Sequence, residues 1–379
     1  MKTSYLAISC AFWLISIVSL AQCTLPGTPS TGTVDPAFDG YVTENGPGWT
    51  GGDGSYSMSL PDGTNLWMWS DSYIGTVNPT TRLRSGYLLT AHNSLTILNQ
   101  STGSWTTAGY PPQTTSYFVP SNKNDWFWQG SGFVTQPSAG TYEINVMLLE
   151  WTGNFQLVGH SIGTLSWPGL AIKKITPIAG LDTSIEWGTK ILHLGAYYYI
   201  YGLKDPGTAT KLPYVARFSA LADVANAGPW QFWNASQNAW LSGESNATQM
   251  RGVAAITPEY SVDQFAYNGG HFYMMVGMDP ITPPYPLWQN VTTWYSCSPV
   301  GPWSHKTTVY VTPEAGANGC KVGTLVTYNA KAHTDFNDST GILISYNVNA
   351  NNSQDLICAN DYMPRFVRVQ IPGVTDVLK

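Results

Sequence analysis

The segment Glu186-Trp-Gly-Thr-Lys-Ile-Leu-His-Leu194 runs into Gly195 and then into Ala196-Tyr-Tyr-Tyr-Ile-Tyr201. Both halves are rich in aromatic and branched apolar residues, which favour half-buried strands. The glycine between them supplies a tight turn. The segment therefore predicts a β-hairpin whose first strand begins with a polar residue, Glu186.

Four further segments repeat this pattern of a polar start, a strand, a turn and an apolar partner strand. They span 53–70, 125–151, 259–276 and 327–347, and their polar residues are spaced 61 to 74 residues apart. That spacing accommodates a four-stranded sheet with its connections. Five such units predict an all-β fold with a single domain, a five-bladed β-propeller. A β-sandwich and a parallel β-helix are the competing folds. The final strand, 365–371, pairs within this scheme only if N-terminal chain closes the ring.

Composition supports strands and turns over helices. Only 11% of the residues are charged, against about 25% in ordinary soluble domains. Aromatic residues reach 13%, and the chain has 37 Gly and 25 Pro. A net charge of −6 without basic clusters argues against nucleic acid and anionic membranes as partners. Low charge with many Trp, Tyr and Asn residues is typical of surfaces that meet neutral sugars.

The N-terminus has the pattern of a secretory signal peptide. Lys2 precedes an apolar run from 5 to 20, and small side chains at Ser19 and Ala21 predict cleavage before Gln22. We therefore expect a signal peptide at 1–21, an extended lead-in at 22–33 and the propeller at 34–379. No other stretch is long and apolar enough to span a membrane. The predicted protein is secreted, extracellular and monomeric.

Cysteines and glycosylation sequons agree with secretion. Four cysteines remain after the signal peptide and allow three pairings into two disulfides. Since Cys297 and Cys320 flank one turn-rich stretch, we expect them to pair and leave Cys23 for Cys358. Six sequons predict N-linked glycans. They lie at Asn99, Asn234, Asn246, Asn290, Asn337 and Asn351.

In a propeller, the polar residues that begin the inner strands are expected to lie close together. Inner strands of all blades run in the same sense, so their first residues converge at one mouth of the central channel. We expect Asp53, Asp125, Glu186 and Glu259 to form one catalytic pit there, with His333 in the fifth position. Glycoside hydrolysis needs such carboxylates, one to protonate the leaving oxygen and one to attack or activate water.

Each of these residues also has an ordinary structural interpretation. Asp53 lies in Gly51-Gly52-Asp53-Gly54, where an aspartate can simply cap a turn. Asp125 also lies in a turn-like segment, and Glu259 is equally explained as a solvated loop residue. Glu186 begins an otherwise apolar strand, which favours a carboxylate that faces the channel.

Several other residues are predicted to bind substrate. Tryptophans stack on sugar rings or fill the core, and Asp71 lines the pocket or pairs with Arg82 or Arg84. His333 is a polar donor to the site or an ordinary core histidine. The predicted set is Asp71, Asn93, Trp126, Trp128, Trp187 and His333. No phosphate loop, nucleophile elbow, zinc motif or EF-hand loop occurs, so no cofactor and no metal are expected.

Several short motifs resemble a secreted propeller family. They are Gly52-Asp53-Gly54, Trp69-Ser70-Asp71-Ser72-Tyr73-Ile74-Gly75, His92-Asn93-Ser94, Glu186-Trp187-Gly188, Tyr346-Asn347-Val348-Asn349 and Tyr362-Met363-Pro364-Arg365-Phe366. Much of that family is catalogued as a domain of unknown function of the 4185 type, and it includes bacterial endo-D-arabinanases. The resemblance implies a five-bladed propeller and hydrolysis of furanoside-type substrates. It also implies that acidic residues of the first three blades, Asp53, Asp125 and Glu186, do the chemistry.

The resulting hypothesis is a secreted glycoside hydrolase acting on a polysaccharide or glycan. Asp53 is the predicted base or nucleophile, Glu186 the acid and Asp125 the modulator, while Glu259 remains an alternative acid. The rival hypothesis is a glycan-binding propeller, a lectin or adhesin without catalysis. A structural extracellular protein without a ligand is the third.

Overall fold

A computed structural model describes residues 23–85, 89–111, 115–207, 210–279 and 288–374, without the side chain of residue 222. In this part of the chain the strands form five sheets of four or five strands and one two-stranded ribbon. The inner strands of successive sheets contact one another in order. The sheets are the five blades of a β-propeller, as the hairpin spacing predicted. The signal-peptide prediction, 1–21, lies outside the described residues.

Strands are numbered along the chain. Before the first blade come β1 (Thr33–Val34), α1 (Pro36–Val42) and β2 (Gly48–Gly52). Blade one consists of β3 (Tyr56–Ser59), β4 (Asn65–Trp69), β6 (Ser94–Asn99) and β7 (Ser104–Thr107), and β5 (Ser72–Gly75) pairs with β2. Blade two consists of β8 (Trp126–Ser138), β9 (Thr141–Trp151), β10 (Leu157–Trp167) and β11 (Ile172–Pro177).

The remaining blades follow the same antiparallel order. Blade three has β12 (Glu186–Leu194), β13 (Tyr197–Lys204), β14 (Leu212–Phe218), β15 (Gln231–Asn234) and β16 (Ala239–Ser242). Blade four has β17 (Ser261–Tyr267), β18 (Gly270–Asp279), β19 (Asn290–Ser296) and β20 (Ser304–Val311). Blade five has β21 (Leu325–Ala332), β22 (Ile342–Ala350) and β23 (Met363–Val369), and β1 is its fourth strand. Short 3₁₀ helices lie at Leu221–Asp223, Glu244–Asn246, Thr334–Phe336, Asp355–Ile357 and Ala359–Asp361.

The first strand closes the ring by pairing with the last. Thr33 lies opposite Arg368 and Val34 opposite Val367, which confirms the predicted use of N-terminal chain. The next residue, Asp35, caps α1 by accepting hydrogen bonds from two backbone amides and also binds the Arg368 guanidinium at 2.7 Å. This join therefore combines strand pairing, a helix cap and a buried ion pair.

The disulfides differ from the predicted pairing. Cys23 is bonded to Cys297 and Cys320 to Cys358, so the expected Cys297–Cys320 and Cys23–Cys358 bonds are wrong. Hydrogen bonds hold the loop at 319–323 against the loop at 355–361. The Asp355 carboxylate accepts from the backbone amide of Gly323 at 2.7 Å, and that of Asp361 accepts from the amide of Cys320 at 2.6 Å. These contacts place Cys358, and not Cys297, beside Cys320.

Five of the six sequon asparagines are at least partly exposed, and the sixth is buried. Asn234 is only 7% exposed, and its side-chain amide donates to the carbonyl of Asn246 at 2.9 Å. That position is the least suited to a glycan, because the acceptor nitrogen is enclosed and already bonded. Within the described ranges, none of the helices has the length and apolar character needed to cross a bilayer.

Candidate active site

A cavity of about 350 Å³ lies at one end of the channel, and all five blades contribute to it. Its lining includes three of the four predicted catalytic carboxylates, Asp53, Glu186 and Glu259. They come from positions far apart in the chain, next to the inner strands of blades one, three and four. The fold therefore concentrates negative charge at a single place.

Asp53 is held by the turn that leads into the first blade. Its carbonyl accepts from the amide of Ser70 at 2.8 Å, and its own amide donates to the carbonyl of Asp71 at 3.2 Å. Gly54 follows at φ +81°, and a Cβ there would lie 2.9 Å from the Ser70 nitrogen. Only glycine fits this close approach, so the Asp-Gly sequence fixes where the carboxylate points.

Backbone strain collects around the cavity. Three lining residues other than glycine have a left-handed backbone, Phe155 at φ +55°, Glu259 at +61° and Asn329 at +59°. Each costs on the order of 1–3 kcal/mol and persists only where the surroundings hold it in place. Strain at functional sites is common, and here it accompanies the cluster of carboxylates.

The environment of Asp53 makes its charged form unfavourable. Burial raises the pKa of Asp53 from 3.8 to about 7, with a further increase from the nearby charge of Asp71. The Tyr328 hydroxyl opposes this shift by donating to Oδ2 at 2.7 Å, and Asn349 donates to that hydroxyl at 3.1 Å. Asp53 therefore changes charge near neutral pH while keeping a fixed hydrogen bond.

Glu186 is the first residue of β12, and it faces a wall that includes Leu149 and Leu203. Burial raises the pKa of Glu186 from 4.5 to about 7, opposed by Lys211 and supported by Asp205 and Glu259. Within the described ranges no residue hydrogen bonds to its carboxylate. A carboxyl in such surroundings keeps its proton at mildly acidic pH, as a general acid must.

Glu259 differs from the other two carboxylates because it forms an ion pair with a lysine. The buried Lys331 ammonium donates to Oε2, and this ammonium also lies 4.3 Å from the centre of the Tyr56 ring. Burial raises the pKa of Glu259, and Lys331 and a hydrogen bond from Tyr56 oppose the increase. Lys331, Tyr56 and Tyr328 were not anticipated from the sequence. A lysine in an apolar inner strand was the available signal, since it requires a buried partner.

Asp125 does not line the cavity. It lies in the turn before β8, and its carboxylate accepts from the Asn122 side chain at 2.8 Å. The lining residues of β8 are Trp128 and Gln129, which enter three and four residues later. The expectation that the first polar residue of each inner strand reaches the pit therefore fails in blade two.

His333 follows the last residue of β21, so the expectation that it starts this strand is wrong. Its ring nitrogens lie 2.7 Å from the hydroxyls of Ser57 and Ser345, and it bridges blades one and five. Burial lowers the pKa of His333 well below its usual range, and neighbouring cations add to the effect. The position is that of a neutral core histidine.

The other predicted substrate-binding residues divide into two groups. Trp187 and Asn93 are fully buried. The Trp187 indole N–H donates to the Glu244 carboxylate. The Asn93 side-chain amide donates to the carbonyls of Phe118 and Phe127. Neither residue reaches the cavity. By contrast, Trp128 lines it, while Trp126 and Asp71 lie directly beside Trp128.

One group of potential metal ligands occurs among the described residues, formed by Cys320, Cys358 and Asp361. The two sulfur atoms are joined in a disulfide, and the aspartate accepts from the Cys320 amide. These contacts account for the cluster as part of the loop structure.

Fold and site together define a five-bladed β-propeller with an acidic cavity at one end of its channel. The chain belongs to the family described as Domain of unknown function (DUF5005), whose model matches residues 35–371. This family carries a different number from the 4185 type. The five-bladed propeller that the motifs implied is confirmed. None of the curated proteins matches this chain in sequence.

The chain is similar to several solved structures. A candidate hydrolase from Bacteroides ovatus ATCC 8483 is 18% identical with a TM-score of 0.70, over 89% of each chain. A GH43_1 enzyme from Xanthomonas citri, complexed with xylose, is 12% identical with a TM-score of 0.48, over 90% of this chain and 96% of the other. An endo-arabinase from Bacteroides thetaiotaomicron VPI-5482 is 11% identical with a TM-score of 0.45, over 89% of this chain and 98% of the other. The first likeness shows a common fold, and the other two are too loose to transfer any property.

Proposed function

We propose that this protein is a secreted glycoside hydrolase whose carboxylates act in the cavity described above. The observation that carries the proposal is the convergence of Asp53, Glu186 and Glu259 from three blades on one cavity. Raised pKa values of about 7 for Asp53 and Glu186 add to it. Perturbed carboxyls in a concave site are typical of acid–base catalysis, and hydrolysis of glycosides uses two of them.

The three carboxylates suit different roles. Glu186, without a hydrogen-bond donor in the described part of the chain, is the proposed acid that protonates the leaving oxygen. Asp53, with Tyr328 donating to one oxygen, is the proposed base or nucleophile. Glu259 raises the pKa of both of them, so we assign to it the modulating role first given to Asp125. Charge on Glu259 therefore helps Glu186 to keep its proton.

The proposed substrate is a neutral glycan. The cavity lining contains two lysines, and each is paired, Lys331 with Glu259 and Lys211 with Asp205. Among the described lining residues, no cation is therefore left to balance a uronic acid or a sulfate group. An arabinan-like furanoside, implied by the short motifs, is one member of this class.

Secretion and glycosylation complete the proposal. Two disulfides fit an oxidising compartment, and a signal peptide at 1–21 supplies the route. We expect glycans on the exposed sequons of a monomer made in a eukaryotic host, and none at Asn234. Glycopeptide mass spectrometry checks this site by site. Secreted protein whose sequons are all unmodified contradicts the proposed route.

The decisive experiment screens the purified protein against neutral polysaccharides with reducing-end detection. Asp53→Asn and Glu186→Gln keep the side-chain shapes and should each lower the rate on the order of 10²–10⁴-fold. Asp125→Asn is the matched control, because Asp125 lies outside the cavity, and it should keep full activity. Glycan binding without any release of reducing ends supports the lectin alternative and overturns the proposed catalysis.

A further inference from the structure

Aromatic rings cover one side of the cavity mouth. We name this surface the aromatic shelf, and it consists of His92, Trp126, Trp128, Trp151 and Phe155. The His92 ring stacks on Trp126 with the centroids 4.8 Å apart, and Trp128 lies 5.2 Å from Trp151. Phe155 contacts Trp126 edge-on at 5.4 Å. The rings form one continuous surface on blade two, with His92 at its border with blade one.

Phe155 is both exposed to solvent and in an unfavourable backbone conformation. The residue is 66% exposed, and its backbone has a φ of +55°, which is rare for a bulky residue. It lies in the turn between β9 and β10, directly after the glycine and asparagine that most readily adopt this conformation, Gly153 and Asn154. A strained and exposed phenylalanine next to a cavity is a candidate for ligand binding.

Hydrogen bonds fix the neighbouring rings. The Asp71 carboxylate accepts from the indole N–H of Trp128 at 2.8 Å and from Nδ1 of His92 at 3.0 Å. Both rings are therefore oriented before any ligand arrives. Rigid aromatic surface binds at a low cost in conformational entropy, because few torsions are left to be ordered.

The shelf and the carboxylates share one cavity, since Trp128, Trp151 and Phe155 line it with Asp53 and Glu186. We propose that the aromatic shelf is a sugar-stacking subsite, which binds the ring of a neutral oligosaccharide next to the ring held over the carboxylates. The inference rests on the proposed function for the identity of that second ring. The C–H groups on one face of a sugar carry partial positive charge and match the negative faces of the aromatic rings.

The test measures binding separately from turnover. In the Glu186→Gln variant, which leaves the probe intact, affinity electrophoresis is run in gels containing arabinan, xylan or galactan, with polygalacturonate as the anionic comparison. The Glu186→Gln variant is the parent protein, and Phe155→Ala is added to it. For the polysaccharide that retards the parent, Phe155→Ala should weaken binding about tenfold, because one aromatic anchor is lost. Val322→Ala is the matched control, since Val322 is 65% exposed, lies in the loop between β20 and β21 and does not line the cavity. Phe155→Tyr keeps the ring and should keep the affinity.

The outcomes separate the two proposals. Equal binding by the parent and by Phe155→Ala overturns the shelf, as does a parent that none of the neutral polysaccharides retards. Weaker binding by Phe155→Ala, together with a wild type that releases no reducing ends, keeps the shelf and overturns the hydrolase. Thermal unfolding of Phe155→Ala checks that weaker binding does not result from misfolding. Its midpoint should match that of the parent, because the ring is mostly exposed.

Discussion

The raised pKa of Asp53 makes a quantitative prediction about stability. A carboxyl whose pKa is higher in the folded chain than in the unfolded chain binds its proton more tightly when folded. Its contribution to the folding free energy is most favourable below pH 4 and is lost as the pH rises through 7. Replacing Asp53 with asparagine removes this loss, so the variant should gain stability over the wild type as the pH rises.

The size of the effect follows from the two pKa values, 3.8 and about 7. Each unit of difference corresponds to ~1.4 kcal/mol. The loss of folding free energy accumulates as the pH rises from the unfolded pKa to the folded pKa of Asp53. At pH 5 this loss corresponds to only ~1.2 pKa units, and at pH 8 it corresponds to the whole difference. The stabilisation by Asp53→Asn should therefore be about 2–3 kcal/mol larger at pH 8 than at pH 5.

Guanidinium denaturation of the wild type and Asp53→Asn at both pH values measures this difference. Asp125→Asn serves as the control, because that carboxylate lies in a partly exposed surface turn. A stabilisation by Asp53→Asn that is equal at pH 5 and pH 8 would refute the reasoning, since a change that is independent of pH cannot arise from a shifted titration.

Two further predictions concern the charges around the cavity. Asp71→Asn removes a charge that raises the pKa of Asp53. The limb of the pH–rate profile that reports the titration of Asp53 should therefore move to lower pH. A limb at the same pH in the variant and the wild type contradicts this coupling. Lys331→Met leaves Glu259 buried without its cation and should lower the free energy of unfolding at pH 8 by about 3–5 kcal/mol. The loss should be smaller at pH 5, because burial raises the pKa of Glu259 and favours its neutral form. In the same denaturation experiment Lys173→Met, at an exposed ion pair, should cost less than about 1 kcal/mol.

The hairpins were predictable because local patterns determine them, and the ring closure was predictable because the last strand lacked a partner. The segment starting at Glu186 carries its own strand period and turn, and the observed strand Glu186–Leu194 has the predicted bounds. Closure by N-terminal chain followed from one unpaired strand at the end. Both inferences needed only the chain's immediate sequence and a count of strands.

Other contacts between distant segments were not predictable from local patterns or from a count of strands. The disulfides depend on which loops meet, and the Asp355 hydrogen bonds that set this are formed over more than thirty residues of chain. Asp125 shows a second kind of contact that the sequence did not predict. The cavity is lined by Trp128, three residues further along the chain, and a repeat of about 70 residues does not define the register to within three residues. Phe155 shows a third, since a turn residue has no period from which to infer its direction.

Closure of blade five by β1 also has a consequence for the order of assembly during synthesis. The partner of Thr33 is Arg368, so β1 leaves the ribosome long before the strand that it pairs with. At 5–20 residues per second this delay is on the order of tens of seconds. The cavity needs Tyr328 and Asn329 from blade five, so its last wall is made after the other four blades. A nascent chain of this protein therefore carries an incomplete site until residues 328 and 329 have been synthesised.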